Sequence, residues 1–349
     1  MIAEVTQSSQ YLAVVFGIGV CISACAGLST RPRQTLFLTC EPLTYNVRGD
    51  IDPVPSPDGR YIAYRAMTDE SPELGELRYL RLDYASEPHT LLRAGEFHGG
   101  ASWAPDNEWI SYTVFERADT QSIFVVDSVY KVNIRTQQKV RLVDGRTFPN
   151  IGEYTTWTAK NKIVFATPDA LYQVDVDGGT PNKKLSLDTT FTELPLHLAA
   201  APDGKSIAFS VDTRDSDDKT LRYRSGIWLA DIDDGRLVQL TFGSRDSFPT
   251  WQNDETIMFL RETTRPKVYS LQLLSLATGK IFPVAHQGVV FSIAQLPYRN
   301  VVFAATTPKW DLSGNDFNFF RGFSISRCEN RKSGSGKSGK SKARGQVYH

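Results

Sequence analysis

The chain is short of histidine, cysteine and net charge, and each shortage narrows what it can do. Its 39 basic and 39 acidic residues cancel, but the balance hides a split. Arg331, Lys332, Lys337, Lys340, Lys342 and Arg344 place a charge of +6 on the last stretch with no acid among them, which leaves −6 on the first 330 residues. A mildly acidic body is a poor surface for phosphate backbones, so nucleic acid is not an expected partner. The five histidines, His89, His98, His197, His286 and His349, include no pair at the spacing of metal ligands. The acidic runs Asp215-Ser-Asp-Asp218 and Asp231-Ile-Asp-Asp234 lack the twelve-residue order of an EF-hand. The first, with Asp215, Asp217 and Asp218, is a candidate loop site for calcium, and no other cofactor is expected. The second reads as turn chemistry between two strands. The tail's Gly334-Ser-Gly-Lys-Ser338 has Arg331 where a phosphate loop needs its first glycine. With neither a strand before it nor a helix after it, it reads as disordered tail.

What is present in quantity is a repeat. Six copies of a turn followed by a short apolar strand run along the chain. The first three are Ser56-Pro-Asp-Gly-Arg-Tyr-Ile-Ala-Tyr64, Ala104-Pro-Asp-Asn-Glu-Trp-Ile-Ser-Tyr112 and Thr158-Ala-Lys-Asn-Lys-Ile-Val-Phe165. The others are Ala201-Pro-Asp-Gly-Lys-Ser-Ile-Ala-Phe209, Gln252-Asn-Asp-Glu-Thr-Ile-Met-Phe259 and Leu296-Pro-Tyr-Arg-Asn-Val-Val-Phe303. Their apolar anchors Ile62, Ile110, Ile163, Ile207, Ile257 and Val301 lie 48, 53, 44, 50 and 44 residues apart. A period of about 40–50 residues with several strands per unit is the mark of propeller blades. The fourth copy displays a whole blade: strands at 196–200, 206–211, 226–232 and 237–242, with Pro202-Asp-Gly and Asp233-Asp-Gly supplying the turns. The expected fold is all-β, a six-bladed β-propeller of four-stranded blades. Asp58, Asp106, Asp203 and Asp254 are then turn residues, and Trp103, Trp157 and Trp251 pack between blades.

The repeat resembles that of the TolB-like propellers, also called the WD40-like or PD40 repeat. In that family a Trp-Ser-Pro-Asp-Gly turn precedes an Ile-Ala-Phe strand. Here Ser102-Trp-Ala-Pro-Asp106, Thr156-Trp157 and Thr250-Trp251 keep the Trp, and Gln239-Leu-Thr-Phe-Gly243 keeps the closing strand. The resemblance covers roughly 40–328. It implies a fold and leaves the role open, because one scaffold serves binders, enzymes and accessory domains. The roughly 25 residues between Cys25 and the first repeat are too few for the α/β domain that TolB carries before its propeller, so the Tol–Pal role is not implied wholesale. No Gly-x-Ser-x-Gly elbow occurs, which excludes a prolyl-oligopeptidase-like peptidase.

The four cysteines divide into two pairs. Cys21 and Cys25 lie in the apolar stretch Tyr11–Gly27, which is short for a bilayer span and ends in small residues. Ile22-Ser23-Ala24-Cys25 resembles the lipobox of bacterial lipoproteins, which implies acylation of Cys25 after removal of 1–24. Met1–Gln10 departs from an export signal in having Glu4 and no Lys or Arg. A signal peptide cut nearby and an uncleaved anchor remain as alternatives, and all three readings place the propeller outside the cytoplasm. Cys40 and Cys328 flank the repeats. A strand near 41–47 is expected to complete the final blade beside 321–326, which would bring these two together as a disulfide.

The expected organisation is a signal at 1–24, a linker at 25–35, the propeller at 36–328 and a basic disordered tail at 329–349. The expected role is non-enzymatic. A monomer in the periplasm, or anchored by lipid in the cell envelope, binds a protein or peptide partner. The alternative is a metal-assisted hydrolase or lyase with its site in the central channel. His98 and His197 are the histidines best placed for such a site, because innermost strands line a propeller's channel.

Overall fold

The computed structural model describes residues 37–69, 75–83, 86–117, 125–148, 150–187, 191, 194–214, 223–242, 245–264, 268–286, 288–299, 301–307 and 323–330. Chain contacts divide at Gln34/Thr35, and the unit before that boundary lies outside the described residues, as do Cys21, Cys25 and the tail beyond Asn330.

The described residues are all strand, turn and loop, with no helix among them, in a propeller-like ring of four-stranded sheets. After an N-terminal strand β1 (Phe37–Pro42), the first sheet holds β2 (Asp50–Pro55), β3 (Tyr61–Ala66), β4 (Glu76–Arg81) and β5 (His89–Leu92). Next come β6 (His98–Trp103), β7 (Trp109–Arg117), β8 (Val125–Asn133) and β9 (Lys139–Val143). The third is β10 (Thr155–Trp157), β11 (Lys162–Thr167), β12 (Ala170–Asp175) and β13 (Asn182–Ser186). The fourth is β14 (Leu196–Ala200), β15 (Ser206–Arg214), β16 (Tyr223–Asp231) and β17 (Arg236–Gln239). The remaining strands form one eight-stranded sheet. Half of it is the meander β18 (Asp246–Asn253), β19 (Thr256–Glu262), β20 (Tyr269–Ser275) and β21 (Ile281–His286). The other half is β22 (Val289–Gln295), β23 (Val301–Thr307) and β24 (Ser324–Asn330), completed by β1 (Phe37–Pro42).

The repeated phrase sits at the turn between the first and second strands of each unit. Asp58, Asp106 and Asp203 accept backbone N–H groups two residues ahead at 2.9, 2.8 and 2.7 Å, the Asx geometry that fixes a tight reversal. The fifth copy differs. Its turn is one residue shorter, so Asn253 accepts from the Glu255 N–H at 2.9 Å, and Asp254 instead takes the Tyr298 hydroxyl. Asp231 accepts from the N–H groups of Asp233 and Asp234 at 3.0 and 2.9 Å, so the second acidic run includes a turn of the same kind.

The strand after each turn is buried on both faces, and its aromatic is fully enclosed. Tyr64, Tyr112, Phe165, Phe209, Phe259 and Phe303 are at most 1% exposed. The cores they enter lie between neighbouring units. Ile51, Tyr64 and Leu80 pack with Phe303, Phe323 and Ile325, while Val164 and Leu171 pack with Ile207 and Phe209. Burying each such ring contributes about 2–3 kcal/mol, so cohesion is distributed around the ring and not held in one centre.

Hydrogen bonds stitch the innermost strands in one of two ways. Where a strand offers a hydroxyl, the next strand's backbone N–H donates to it: Trp157 to Ser102 at 2.9 Å, Ala200 to Thr156 at 3.0 Å and Gln295 to Thr250 at 2.9 Å. Where the equivalent residue is Val54 or Ala199, the next unit supplies a Trp. The indoles of Trp103 and Trp251 donate to those two carbonyls at 2.8 and 2.9 Å. Trp157 follows a hydroxyl seam and bonds Asn161 of its own turn instead. The Asp52 N–H donates to Ser292 Oγ at 2.9 Å, which joins the last innermost strand to the first.

The N-terminal strand closes the structure, shifted from the sequence expectation. The alternating Leu43, Tyr45 and Val47 suggest a strand at 41–47, but β1 is Phe37–Pro42, and Tyr45 and Val47 are 83% and 70% exposed. β1 pairs antiparallel with β24, with Cys40 opposite Cys328, and parallel with β21 through Phe37 and Leu38. β24 runs through Glu329 and Asn330, beyond the expected boundary at 328. Cys40 and Cys328 are joined by a disulfide across a sequence separation of 288. In the chain-entropy model a link over so long a loop contributes about 5–6 kcal/mol.

Close approach between units fixes the glycines of β6. A Cβ on Gly99, whose φ is +76°, would lie 1.8 Å from the Glu153 carbonyl oxygen. Gly95 shares the left-handed backbone at +85° but has nothing within 4 Å. Gly95→Ala is therefore expected to cost about 1–2 kcal/mol, the left-handed penalty alone. Gly99→Ala is expected to exceed about 3 kcal/mol because β6 and the Glu153 segment must part. Urea unfolding checks this pair, and equal losses would contradict the close approach.

Candidate ligand-binding channel

The innermost strands β2, β6, β10, β14, β18 and β22 surround a cavity of about 230 Å³. The walls are mostly apolar: Pro53, Val54, Ala101, Ala199 and Ala294 with Trp103, Trp157 and Trp251, relieved by Ser102 and Thr156. Toward the turns lie Pro57 and Pro297. The opposite end is set by residues four before each phrase: Asp52, Gly100, Tyr154, His197, Phe248 and Ser292. One position of the repeat thus carries six different residues, and the first five line the cavity.

The backbone at this tier is irregular in a consistent way. The ladder slips between Ile51 and Val54, His98 and Ser102, Leu196 and Ala199, Ser247 and Thr250, and Val290 and Ser292. Such bulges re-aim a side chain. Asp52, His197 and Phe248 each have φ of +53°, in the left-handed region. Asp52 and Phe248 also precede prolines, which favour extended backbone in the residue before them. Local preference therefore opposes the conformation, and surrounding structure imposes it at about 1–3 kcal/mol per residue.

The side chains form two connected groups. The His197 ring lies 3.7 Å from Phe248 and 4.7 Å from Tyr154, centroid to centroid, and Phe248 continues to Phe291 at 6.0 Å. His197 Nδ1 is 2.8 Å from Ser210 Oγ, which also lies 3.3 Å from the Leu196 carbonyl oxygen. The neutral ring shares one hydrogen bond with Ser210 through Nδ1, and its tautomer sets which of the two donates. Burial, assisted by Arg65, pushes the His197 pKa down to about 3 and keeps the ring neutral.

The second group is ionic. Arg65 Nε stands 3.5 Å from Asp52 Oδ2, and the same guanidinium donates to the Gly99 carbonyl and lies over the Phe97 ring at 5.1 Å. Burial raises the Asp52 carboxyl above its ordinary range, with Arg65 and the Ser292 hydroxyl pulling back. Burial also raises the Tyr154 phenol, with Asp52 adding to the shift, so its hydroxyl stays protonated. Asp52 Oδ1 and Arg65 Nε are enclosed and have no hydrogen-bond partner among the described residues.

The structure brings His197 to the channel. His98 begins β6, at the same level of the ring, and only its backbone is described. Asp215, Asp217 and Asp218 lie outside the described residues. Sequence reasoning passed over Asp52, Arg65, Tyr154 and Phe248. The available signal was positional: each residue four before a phrase belongs to one ring, whatever its chemistry. Among the described residues no three His, Cys, Asp or Glu side chains gather as metal ligands.

The His197 geometry gives a pH signature. Its folded pKa lies below the unfolded 6.5, so the unfolded chain takes up the proton first. The stability this supports is present above pH 6.5 and lost as pH falls toward 3. His197→Asn, which tolerates the left-handed backbone, is expected to remove up to about 1.4 kcal/mol per pH unit of acid sensitivity in that window. Denaturant titrations at pH 7, 5.5 and 4.5 check it, and parallel profiles for the two proteins would show that the ring is not buried neutral.

No family model matches the chain, and no curated protein matches it. Solved structures do. TolB from Acinetobacter baumannii superposes with a TM-score of 0.51 at 18% identity, covering 67% of this chain and 54% of that one. The chain thus spans about half the length of that relative. A putative TolB from Agrobacterium tumefaciens gives 0.51 at 15% identity, over 81% and 90% of the two chains. Oligogalacturonate lyase from Vibrio parahaemolyticus gives 0.53 at 14% identity, over 82% and 79%. The fold is that of the TolB-like β-propellers, and at these identities the likeness is one of fold alone.

Proposed function

We propose that this protein is a six-bladed propeller that binds a peptide segment of a partner protein in its central channel. The blade count rests on the eight-stranded sheet, whose halves are two four-strand meanders linked chiefly through two parallel register pairs at β1 and β21. Counting each half as a blade gives six blades and one innermost strand apiece. In cellular terms the protein is a monomer of the bacterial envelope, exported and held to the membrane through an acylated Cys25, with the basic tail free to meet acidic surfaces.

The observation that carries the binding role is the ring of dissimilar, strained residues facing a narrow cavity. A purely structural ring can repeat one residue or use glycine, as β6 does. Here Asp52, His197 and Phe248 hold costly backbone and turn chemically distinct groups inward. The walls bring Pro, Ala, Val and hydroxyl groups close together, which suits an extended chain better than a bulky or highly charged molecule. A metal-assisted lyase reading draws only on the fold shared with oligogalacturonate lyase.

Photocrosslinking tests the role. A benzophenone side chain replacing Ala101 in the channel wall is expected to give a reproducible adduct in intact envelopes. The same probe at exposed Val238 is expected to give none. Equal labelling from both sites, or none from Ala101, would overturn channel binding.

A further inference from the structure

We propose that the basic run at 331–344 is a second membrane contact, which binds the anionic headgroups of the bilayer that holds the N-terminus. The inference rests on the envelope-anchored reading and adds to it a preference for acidic lipid.

The strand order brings the two ends of the propeller to one place. Val301, the first residue of β23 after the sixth turn, is paired with Glu329 of β24. Leu38 of β1 is paired with Asn330. β24 therefore ends, and β1 begins, at the level of the repeated turns and side by side in one ladder. The chain before Phe37 and the chain after Asn330 leave from neighbouring positions. From Cys25 to Phe37 is 12 residues, a reach of at most about 40 Å. From Asn330 to Arg344 is 14 residues, a reach of at most about 50 Å. A bilayer that holds residue 25 is within span of the basic run.

The composition of the run selects the partner. Arg331, Lys332, Lys337, Lys340, Lys342 and Arg344 are separated only by Ser, Gly and Ala. Such a stretch has no large apolar side chain to fill a protein pocket. Four of its six cations are Lys, a compact point charge without the planar fork of Arg. Charges of this kind suit a field of headgroups, where each cation near the surface adds its own increment of attraction. The first 330 residues carry −6 and are repelled by the same surface. At physiological salt that repulsion is screened within about 8 Å, a distance the run can span many times over. An acidic protein would also attract these cations, but it must first be brought to them, whereas the N-terminal tether keeps the bilayer at hand. A lipid chain with a polybasic segment is one of the two-signal combinations that give stable attachment.

Partition of the full chain between two vesicle types offered together tests this. One type is phosphatidylcholine alone, and the other, separable by density, contains about a third phosphatidylglycerol. The comparison is a variant with Arg331→Gln, Lys332→Gln, Lys337→Gln, Lys340→Gln, Lys342→Gln and Arg344→Gln. It keeps the N-terminus and every strand, so the difference between lipids isolates the run, and thermal melting verifies folding. Wild type is expected to favour the anionic vesicles about tenfold, and to lose that preference at about 1 M NaCl, where screening shortens to about 3 Å. The variant, left with −6, is expected to show no preference or the reverse. A wild type without the preference, as when the run folds back on the acidic body, would overturn this inference and leave the N-terminal anchor standing. A folded variant that keeps the preference would do the same. Binding of neither vesicle type by either protein would overturn both.

Discussion

A ring of sheets holds its shape only while it is closed, and here closure falls to a six-residue strand from the far end of the chain. β1 lies between β21 and β24, hydrogen-bonded to both, and Cys40 is tied to Cys328 within that seam. Without it β24 would present an unpaired edge, and the core of Leu38, Val290, Val302 and Cys328 would lose its outer wall. The Asp52–Ser292 bond closes the same circle at the inner radius. The channel exists because both closures hold its first and last walls at a fixed separation.

The same constraint explains how the strained tier persists. Asp52 and Phe248 precede prolines and His197 is held between two aromatic rings, so no local preference puts these residues in the left-handed region. They are held there by neighbours: the hydroxyl of Ser292 on the Asp52 N–H, the Ser210 bond to His197, and the packing of Phe248 on Phe291. Stability distributed over many inter-unit contacts can carry such costs at one level of the ring. The scheme of hydroxyl acceptors and indole donors does this with different residues from junction to junction, which is why it leaves no simple sequence motif.

Much of the fold was legible because one periodic phrase marks the turn and buried strand of every unit, although those strands are buried on both faces and not at period two. The closing strand was misplaced because Leu43, Tyr45 and Val47 alternate as a strand would, yet Tyr45 and Val47 face solvent. The pairing of Cys40 with Cys328 fixes the true register. Asp254 lies in its turn as expected, but that turn is one residue shorter and the Asx contact falls to Asn253. The site was less legible. His197 was found through its place in an inner strand, whereas Asp52, Tyr154 and Phe248 share its position and none of its chemistry. Arg65 comes from a second strand and reaches Asp52 only through the fold.

Amide hydrogen exchange of the oxidised protein tests closure by the N-terminal strand most directly. The account predicts that the amides of β1 from Phe37 to Glu41 and those of Ser324–Asn330 exchange as slowly as those of Val301–Thr307, because all three strands belong to one continuous ladder. Rapid exchange from Phe37 to Glu41, at the rate of an unattached terminus while Val301–Thr307 stays protected, would contradict it.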